Sequence, residues 1–130
     1  MNRAYRLLAT GCCLIPFLAA CDWRIREIRI AAQDHRFVPA RIQAQARESI
    51  HLVIVNEGRE THEFSSELLT DPHVHVRSEE VTPKDYGPSH SFKIPPGRTV
   101  KITFRAPRGN YLFRCKIPGH RNMTATLIVE

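Results

Sequence analysis

Residues 111–123 read YLFRCKIPGHRNM, and the interpretation of the whole chain depends on them. The first five residues place Cys115 and two aromatic side chains on one face, which predicts a strand that ends at the cysteine. A Pro-Gly pair then predicts a tight turn, and His120 and Met123 follow that turn. A thiol, an imidazole and a thioether therefore lie within nine residues on one loop.

The side chains of this loop suit one kind of metal site. A soft sulfur ligand, a nitrogen ligand and a weak thioether are what a trigonal copper site with a long axial bond requires. Such a site needs a second imidazole, and we expect His62, which follows a predicted strand and a glycine turn. The competing interpretations are a buried structural thiol for Cys115, core filling for Met123 and a surface loop for His62.

The N-terminus has the pattern of an export signal. Arg3 and Arg6 precede residues 7–20, an uncharged and mostly apolar run that ends in small residues. The run is shorter than the roughly 20 residues that cross a bilayer as a helix. We therefore predict a secretory signal at 1–20 and a mature domain at 21–130.

The end of that signal, LAAC at 18–21, resembles the lipobox of bacterial lipoproteins. The resemblance implies that Cys21 is lipidated and becomes the mature N-terminus, and that Asp22 favours retention at the inner membrane. We expect an exported, periplasmic protein that a lipid anchor on Cys21 holds at the inner membrane. The alternative is an ordinary cleaved signal with an incidental cysteine.

Removal of the signal leaves few sulfur atoms that could bind a metal or form a disulfide. Cys12 and Cys13 leave with it, and a lipidated Cys21 is no longer a thiol. Cys115 is then the one free thiol of the mature chain, which excludes a structural disulfide within it. Met123 is likewise the one remaining methionine, because the other is Met1.

Composition and charge narrow the classes of partner. Apolar residues make up 42% and charged residues 25% of the 130 residues, as in a single folded domain. Without residues 1–20, which hold two arginines and no acid, 17 basic and 13 acidic residues remain. This mild positive charge favours an acidic protein partner. Nucleic acid is not expected, because no basic run carries interleaved aromatic residues.

Short alternating segments separated by turns dominate the chain. Strands are predicted at 22–31, 41–46, 50–55, 91–94, 100–104, 111–115 and 124–129. Residues 33–39 are expected to be a connection, with Phe37 and Val38 as core contacts. Residues 65–90 are irregular, except for a helical turn at 67–69 capped by Ser65 or Ser66. The pattern predicts an all-β protein, a Greek-key β-sandwich or barrel.

The chain resembles the cupredoxins, the blue copper family. The loop at 115–120, Cys-x-x-Pro-Gly-His, is similar to that of azurin, and the two residues between His120 and Met123 match amicyanin. The segments at 34–39, 95–97 and 109–115 resemble small bacterial cupredoxins. His-Glu-Phe at 62–64 is similar to cupredoxin-like domains associated with iron uptake. The resemblance covers about residues 24–130.

The resemblance implies a Greek-key β-sandwich that holds one copper ion and cycles it between Cu(II) and Cu(I). It implies that His62, Cys115 and His120 are the strong ligands, that Met123 is the axial ligand, and that electrons pass through the exposed edge of His120. Where the family usually has glycine this chain has Ala125, so the axial bond is expected to be the weakest. We predict a monomeric electron carrier that is not an enzyme and docks an acidic redox partner.

Two other functions remain open. The chain could be a periplasmic copper carrier or sensor, for which His73 and His75 would supply a second metal site. It could also be an accessory protein of a metal-uptake system, which only the His-Glu-Phe similarity suggests. His35 is expected at the surface, and His51 in the core or at its edge.

Overall fold

Short strands with one apolar face account for most of the structure. The computed structural model describes residues 25–71 and 91–130. These residues form nine strands: β1 (Ile25–Gln33), β2 (Arg36–Val38), β3 (Arg41–Ala44), β4 (Ser49–Asn56), β5 (His62–Ser66), β6 (Ser91–Ile94), β7 (Thr99–Phe104), β8 (Gly109–Arg114) and β9 (Thr124–Val129). One turn of 3-10 helix, Glu67–Thr70, follows β5, and the Ser66 side chain caps it by accepting a hydrogen bond from the Leu68 N–H. The predicted cap is thus confirmed.

The nine strands form two sheets. The first has the order β2-β1-β4-β7, and the second has the order β3-β9-β8-β5-β6. The pairs β1–β4 and β3–β9 are parallel, and the other pairs are antiparallel. Several connections cross from one sheet to the other, as in a Greek-key sandwich. The predicted all-β fold class is confirmed.

The core lies between the sheets because alternate residues of each strand point inward. Ile30, Ile54 and Ile102 are buried in the first sheet, facing Phe64 and Phe113 of the second. The rings of Phe64 and Phe113 have centroids 4.8 Å apart. β4 has partners on both sides, which agrees with its prediction as an inner strand.

The segment 33–39 is not the simple connection that the sequence predicted. It contains β2, which pairs with the end of β1 in antiparallel register. Phe37 is buried as expected, but Val38 is 41% exposed because it is the next residue of a strand and points to the opposite face. Residues 22–24 of the predicted first strand and 72–90 of the irregular segment lie outside the described residues.

Three connections, at 34–35, 57–61 and 115–123, meet at one end of the sandwich. β1 and β4 run parallel and finish there, so the turn at 34–35 and the connection at 57–61 lie side by side. β8 also finishes at this end and β5 begins there, since the two strands are antiparallel. The topology thus brings the start of β5 next to the loop at 115–123 that follows β8.

Candidate metal centre

Three buried side chains with metal-binding atoms meet at this end of the sandwich. Their ligand atoms, from His62, Cys115 and His120, all lie within 4.8 Å of one another. His62 is at the first position of β5, whereas the other two residues come from the loop after β8. The structure therefore brings His62 next to two residues that follow it by 53 and 58 positions in the chain.

Backbone hydrogen bonds fold the loop at 115–123 tightly. The N–H of Cys115 donates to the carbonyl of Met123 over 3.0 Å, and the N–H of Met123 donates to the carbonyl of His120 over 2.9 Å. The turn between them is closed by the N–H of His120, which donates to the carbonyl of Ile117. Gly119 has a φ of +93°, a conformation that favours glycine. The Pro-Gly turn thus returns His120 to the thiol.

A buried amide places the other imidazole. Asn56, the last residue of β4, donates from Nδ2 to the carbonyls of Glu60 and Ile94, 2.7 Å in each case. Its Oδ1 accepts from the N–H of Gly58 over 2.9 Å. These bonds fix the connection that leads into His62. Gly58 lies so close that a Cβ there would be 2.9 Å from His62 Nε2.

The imidazole of His62 has an unusual environment. Both ring nitrogens are buried, and among the described residues neither has a hydrogen-bond partner. Burial, and next the proximity of His120, lower the pKa of His62 below its ordinary value. A buried, neutral imidazole with unpartnered nitrogens is costly unless something else binds it. A metal ion would supply that partner, so the residues present fit a metal site.

The thiol of Cys115 has two polar neighbours. The backbone N–H of Glu63 approaches Sγ at 3.3 Å, and Nδ1 of His120 lies 3.5 Å from the same atom. Because Glu63 follows His62 directly, the strand that supplies one candidate ligand also supplies a hydrogen-bond donor to the sulfur. The strand and the loop therefore both contact the sulfur atom that would bind a metal.

The outer edge of His120 is covered, contrary to the expectation of an exposed edge. The residue is only 4% exposed. Its Nε2 lies 2.9 Å from Oε2 of Glu60, and the ring of His35 packs against it edge-on, with centroids 4.9 Å apart. His35 is itself exposed, as predicted, and adopts a left-handed φ of +68° in the β1–β2 turn. The expectation was wrong because two other connections extend over the histidine.

Met123 is fully buried at the end of the loop, beside the chain segment that holds Cys115. Ala125 follows it in β9 and is also buried, which shows that the strand accommodates a side chain where the family usually has glycine. The other proposed site residues, Cys21, His73 and His75, lie outside the described residues.

Three residues near the centre were not identified from the sequence, namely Glu60, Asp34 and Asn56. The Asp34 carboxylate accepts from the N–H of Arg59, and this hydrogen bond is the main cause that lowers the pKa of Asp34. Oδ1 of the Asp34 carboxylate also lies 3.8 Å from Nε2 of His62. The Asn-Glu-Gly segment at 56–58 could have indicated Asn56, but it gave only a turn signal.

The arrangement offers one thiol and two imidazoles at a buried site. This is the equatorial ligand set of an electron-transfer copper site, and a buried methionine at the loop end is the usual weak fourth ligand.

Within 25–71 and 91–130, no helix has the length and apolar character needed to cross a membrane.

Comparisons with known proteins agree with this picture. The cupredoxin-like domain family matches residues 8–129. No match is found among curated protein sequences.

Solved structures of three auracyanins have the same fold, each with a TM-score of 0.57. Auracyanin B is 19% identical, over 80% of this chain and 88% of that one. A dithionite-reduced auracyanin from Roseiflexus castenholzii is 21% identical, over 80% and 96%. Auracyanin A from Chloroflexus aurantiacus, described as a blue copper protein, is 20% identical, over 82% and 100%.

Proposed function

This chain belongs to the cupredoxin-like domain family, and from that premise we propose that it is an electron-transfer protein with one type 1 copper ion. His62, Cys115 and His120 would hold the copper ion strongly, and Met123 would be the weak fourth ligand. The observation that carries the proposal is the convergence of one thiol and two imidazoles within 4.8 Å, in a buried site where neither ring nitrogen of His62 has a hydrogen-bond partner within 25–71 and 91–130.

Several features of the chain would favour electron transfer by a copper ion bound at this site. Copper, when bound, supplies the one-electron couple between Cu(II) and Cu(I). Sulfur suits Cu(I) and imidazole tolerates Cu(II), so the same three residues serve both states. The backbone hydrogen bonds of the loop at 115–123 and the Asn56 amide fix the positions of the ligands. Burial excludes water, which limits rearrangement between the two states.

A redox partner would dock at the end of the sandwich that holds the site. Lys116, Pro118 and Arg121 are exposed there, and Ile117 is partly buried against the core. A cleft of about 300 Å³ beside His120 is lined by His35, Gly119, Arg121 and Asn122. Cations around a small apolar area suit a transient complex with an acidic partner. Because His120 is covered, a partner would reach it through the exposed ring of His35, which packs against His120 with ring centroids 4.9 Å apart.

The N-terminal sequence supports export and anchoring. Residues 1–20 have the pattern of a lipoprotein signal, and Cys21 stands where the lipid is attached in that class. The mature domain is then 21–130, held at the periplasmic side of the inner membrane. A Cys21→Ser variant should move from the membrane fraction to the soluble fraction of the cell. Retention at the membrane would argue against the anchor.

The copper assignment is tested by adding Cu(II) to the metal-free protein. We expect one copper per chain and a blue absorption that a reductant bleaches and an oxidant restores. A colourless, tightly bound Cu(I) form that passes copper to an acceptor would instead favour a copper carrier. Binding of more than one copper per chain, falling to one when His73 and His75 are changed together, would establish a second site.

A further inference from the structure

We infer that Glu60 is a positioning residue that selects the metal-binding tautomer of His120 and lowers the reduction potential of the bound copper. This inference rests on the proposed function. Glu60 lies on the connection between β4 and β5, and the loop at 115–123 supplies His120. The contact therefore joins the two parts of the chain that contribute strong ligands.

The geometry of the imidazole is the first argument. Nε2 of His120 lies 2.9 Å from a carboxylate oxygen of Glu60, while Nδ1 faces Sγ of Cys115 at 3.5 Å. A neutral imidazole carries one N–H, and a carboxylate can only accept. The proton is therefore placed on Nε2, and Nδ1, the nitrogen on the side of the thiol, keeps its lone pair for a metal.

The second argument is that Glu60 is held in place. Its backbone carbonyl accepts from the buried Asn56 side chain over 2.7 Å. The N–H of the preceding residue, Arg59, donates to Asp34 over 2.9 Å. These two bonds fix the backbone that carries Glu60. The side chain itself is 61% exposed, and its carboxylate covers the outer edge of His120. A fixed backbone reduces the entropy lost when the carboxylate bonds to the ring.

The third argument concerns charge. Ligating histidines commonly donate their other N–H to a carboxylate, which orients the ring and makes the ligand more basic. A more basic imidazole and a nearby negative charge stabilise Cu(II) more than Cu(I). Glu60 should therefore hold the potential below the value that the ligand set alone would give.

Two substitutions at one position separate orientation from charge. Glu60→Gln retains an oxygen that can accept from Nε2 but removes the charge. Glu60→Ala removes both. Glu57→Gln is the matched control, because Glu57 lies on the same connection and pairs with Arg29 at 3.4 Å, away from His120. Each variant is studied metal-free by NMR of the imidazole nitrogens, and copper-loaded by absorption and voltammetry.

We expect metal-free wild type and Glu60→Gln to carry the His120 proton on Nε2, and Glu60→Ala to show a mixture of tautomers. Both Glu60 variants should have a higher potential than wild type, and the Cu(II) affinity of Glu60→Ala should fall about tenfold or more. Glu57→Gln should match wild type in all three measurements.

The inference is overturned if Glu60→Ala keeps a single Nε2–H tautomer, or if its potential and affinity equal those of Glu57→Gln while the blue absorption persists. That result would leave the proposed function intact. If the proposed function were wrong, wild type itself would give no reversible blue absorption. That result would also overturn the inferred effect of Glu60 on the reduction potential.

Discussion

The backbone N–H of Cys115 donates a hydrogen bond to the carbonyl of Met123 over 3.0 Å, so the thiol and the thioether belong to the two joined ends of one loop. Met123 is consequently placed by the backbone and by burial in the core, whether or not its sulfur binds a metal. The loop can therefore tolerate a weak axial bond without losing its shape.

The variant Met123→Leu should retain copper and its blue absorption but have a higher potential. Leucine and methionine have similar volumes, so the metal-free protein should lose less than about 1.5 kcal/mol of unfolding free energy. The potential should rise because the axial ligand tunes it and leucine donates nothing to Cu(II). Voltammetry and copper titration provide the measurements.

Leu127→Met is a suitable control, since it is a swap of the same kind at a buried position in the middle of β9. It should leave the potential unchanged. If Met123→Leu also left the potential unchanged, the thioether would not be a ligand. If it abolished copper binding with the fold intact, Met123 would be a strong ligand and not a weak one.

Replacement of Asn56 by alanine should destabilise the protein and weaken the site together. The change removes the Asn56 donor from the buried carbonyl of Ile94 and from the carbonyl of Glu60, and it leaves the N–H of Gly58 with only its longer bond to the carbonyl of Ala32. Each unsatisfied buried group costs about 1–3 kcal/mol, so we expect a loss of about 2 kcal/mol or more. Denaturant unfolding of the metal-free protein measures this loss.

Asn110→Ala removes an exposed amide from β8 and should cost little. Copper affinity should fall in Asn56→Ala and not in Asn110→Ala, because only Asn56 fixes the connection that ends at His62. Equal stability of the two variants would show that the hydrogen bonds of Asn56 contribute nothing to the fold.

The sequence predicted the fold well wherever a strand alternates over several residues. Val100, Ile102 and Phe104 show the period of two, and all three are buried as expected. β2 was missed because three residues with one buried side chain carry no detectable period. Strand pairing with β1, and not the local sequence, creates that strand.

The candidate ligands could be proposed from the sequence because three of them lie on one short loop. The covering of His120 could not, because Glu60 and His35 reach it from connections 60 and 85 residues away along the chain. The hydrogen bond from Asn56 to the carbonyl of Ile94 could likewise not be predicted, because the two residues are distant in the chain. Such contacts depend on which strand ends share one end of the sandwich.

Tyr111 should make stability depend on pH in the alkaline range. Its hydroxyl donates to the carbonyl of Pro107 over 2.9 Å, and burial raises its pKa above the ordinary value of 10.0. Above pH 10.0 the unfolded chain releases the phenol proton while the folded chain retains it. The contribution of Tyr111 to the free energy of unfolding is therefore complete below pH 10.0, and it is lost as the pH rises through the pKa of Tyr111 in the folded protein.

Tyr111→Phe provides the comparison. The variant should lose about 1 kcal/mol at neutral pH with the hydrogen bond, and its stability should fall less steeply above pH 10.0 than that of wild type. The difference between the tyrosinate absorbance titrations of wild type and variant reports the pKa of Tyr111 in the folded protein. A value at or below 10.0 would contradict the burial argument.

The most direct test of the account is the absorption spectrum of the Cys115→Ser protein after Cu(II) is added. A serine hydroxyl is nearly the size of the thiol but cannot provide the soft thiolate that the proposed site requires. We predict that wild type becomes blue with one copper per chain and that Cys115→Ser, folded to the same extent by circular dichroism, does not. A blue species that persists in Cys115→Ser would contradict the account.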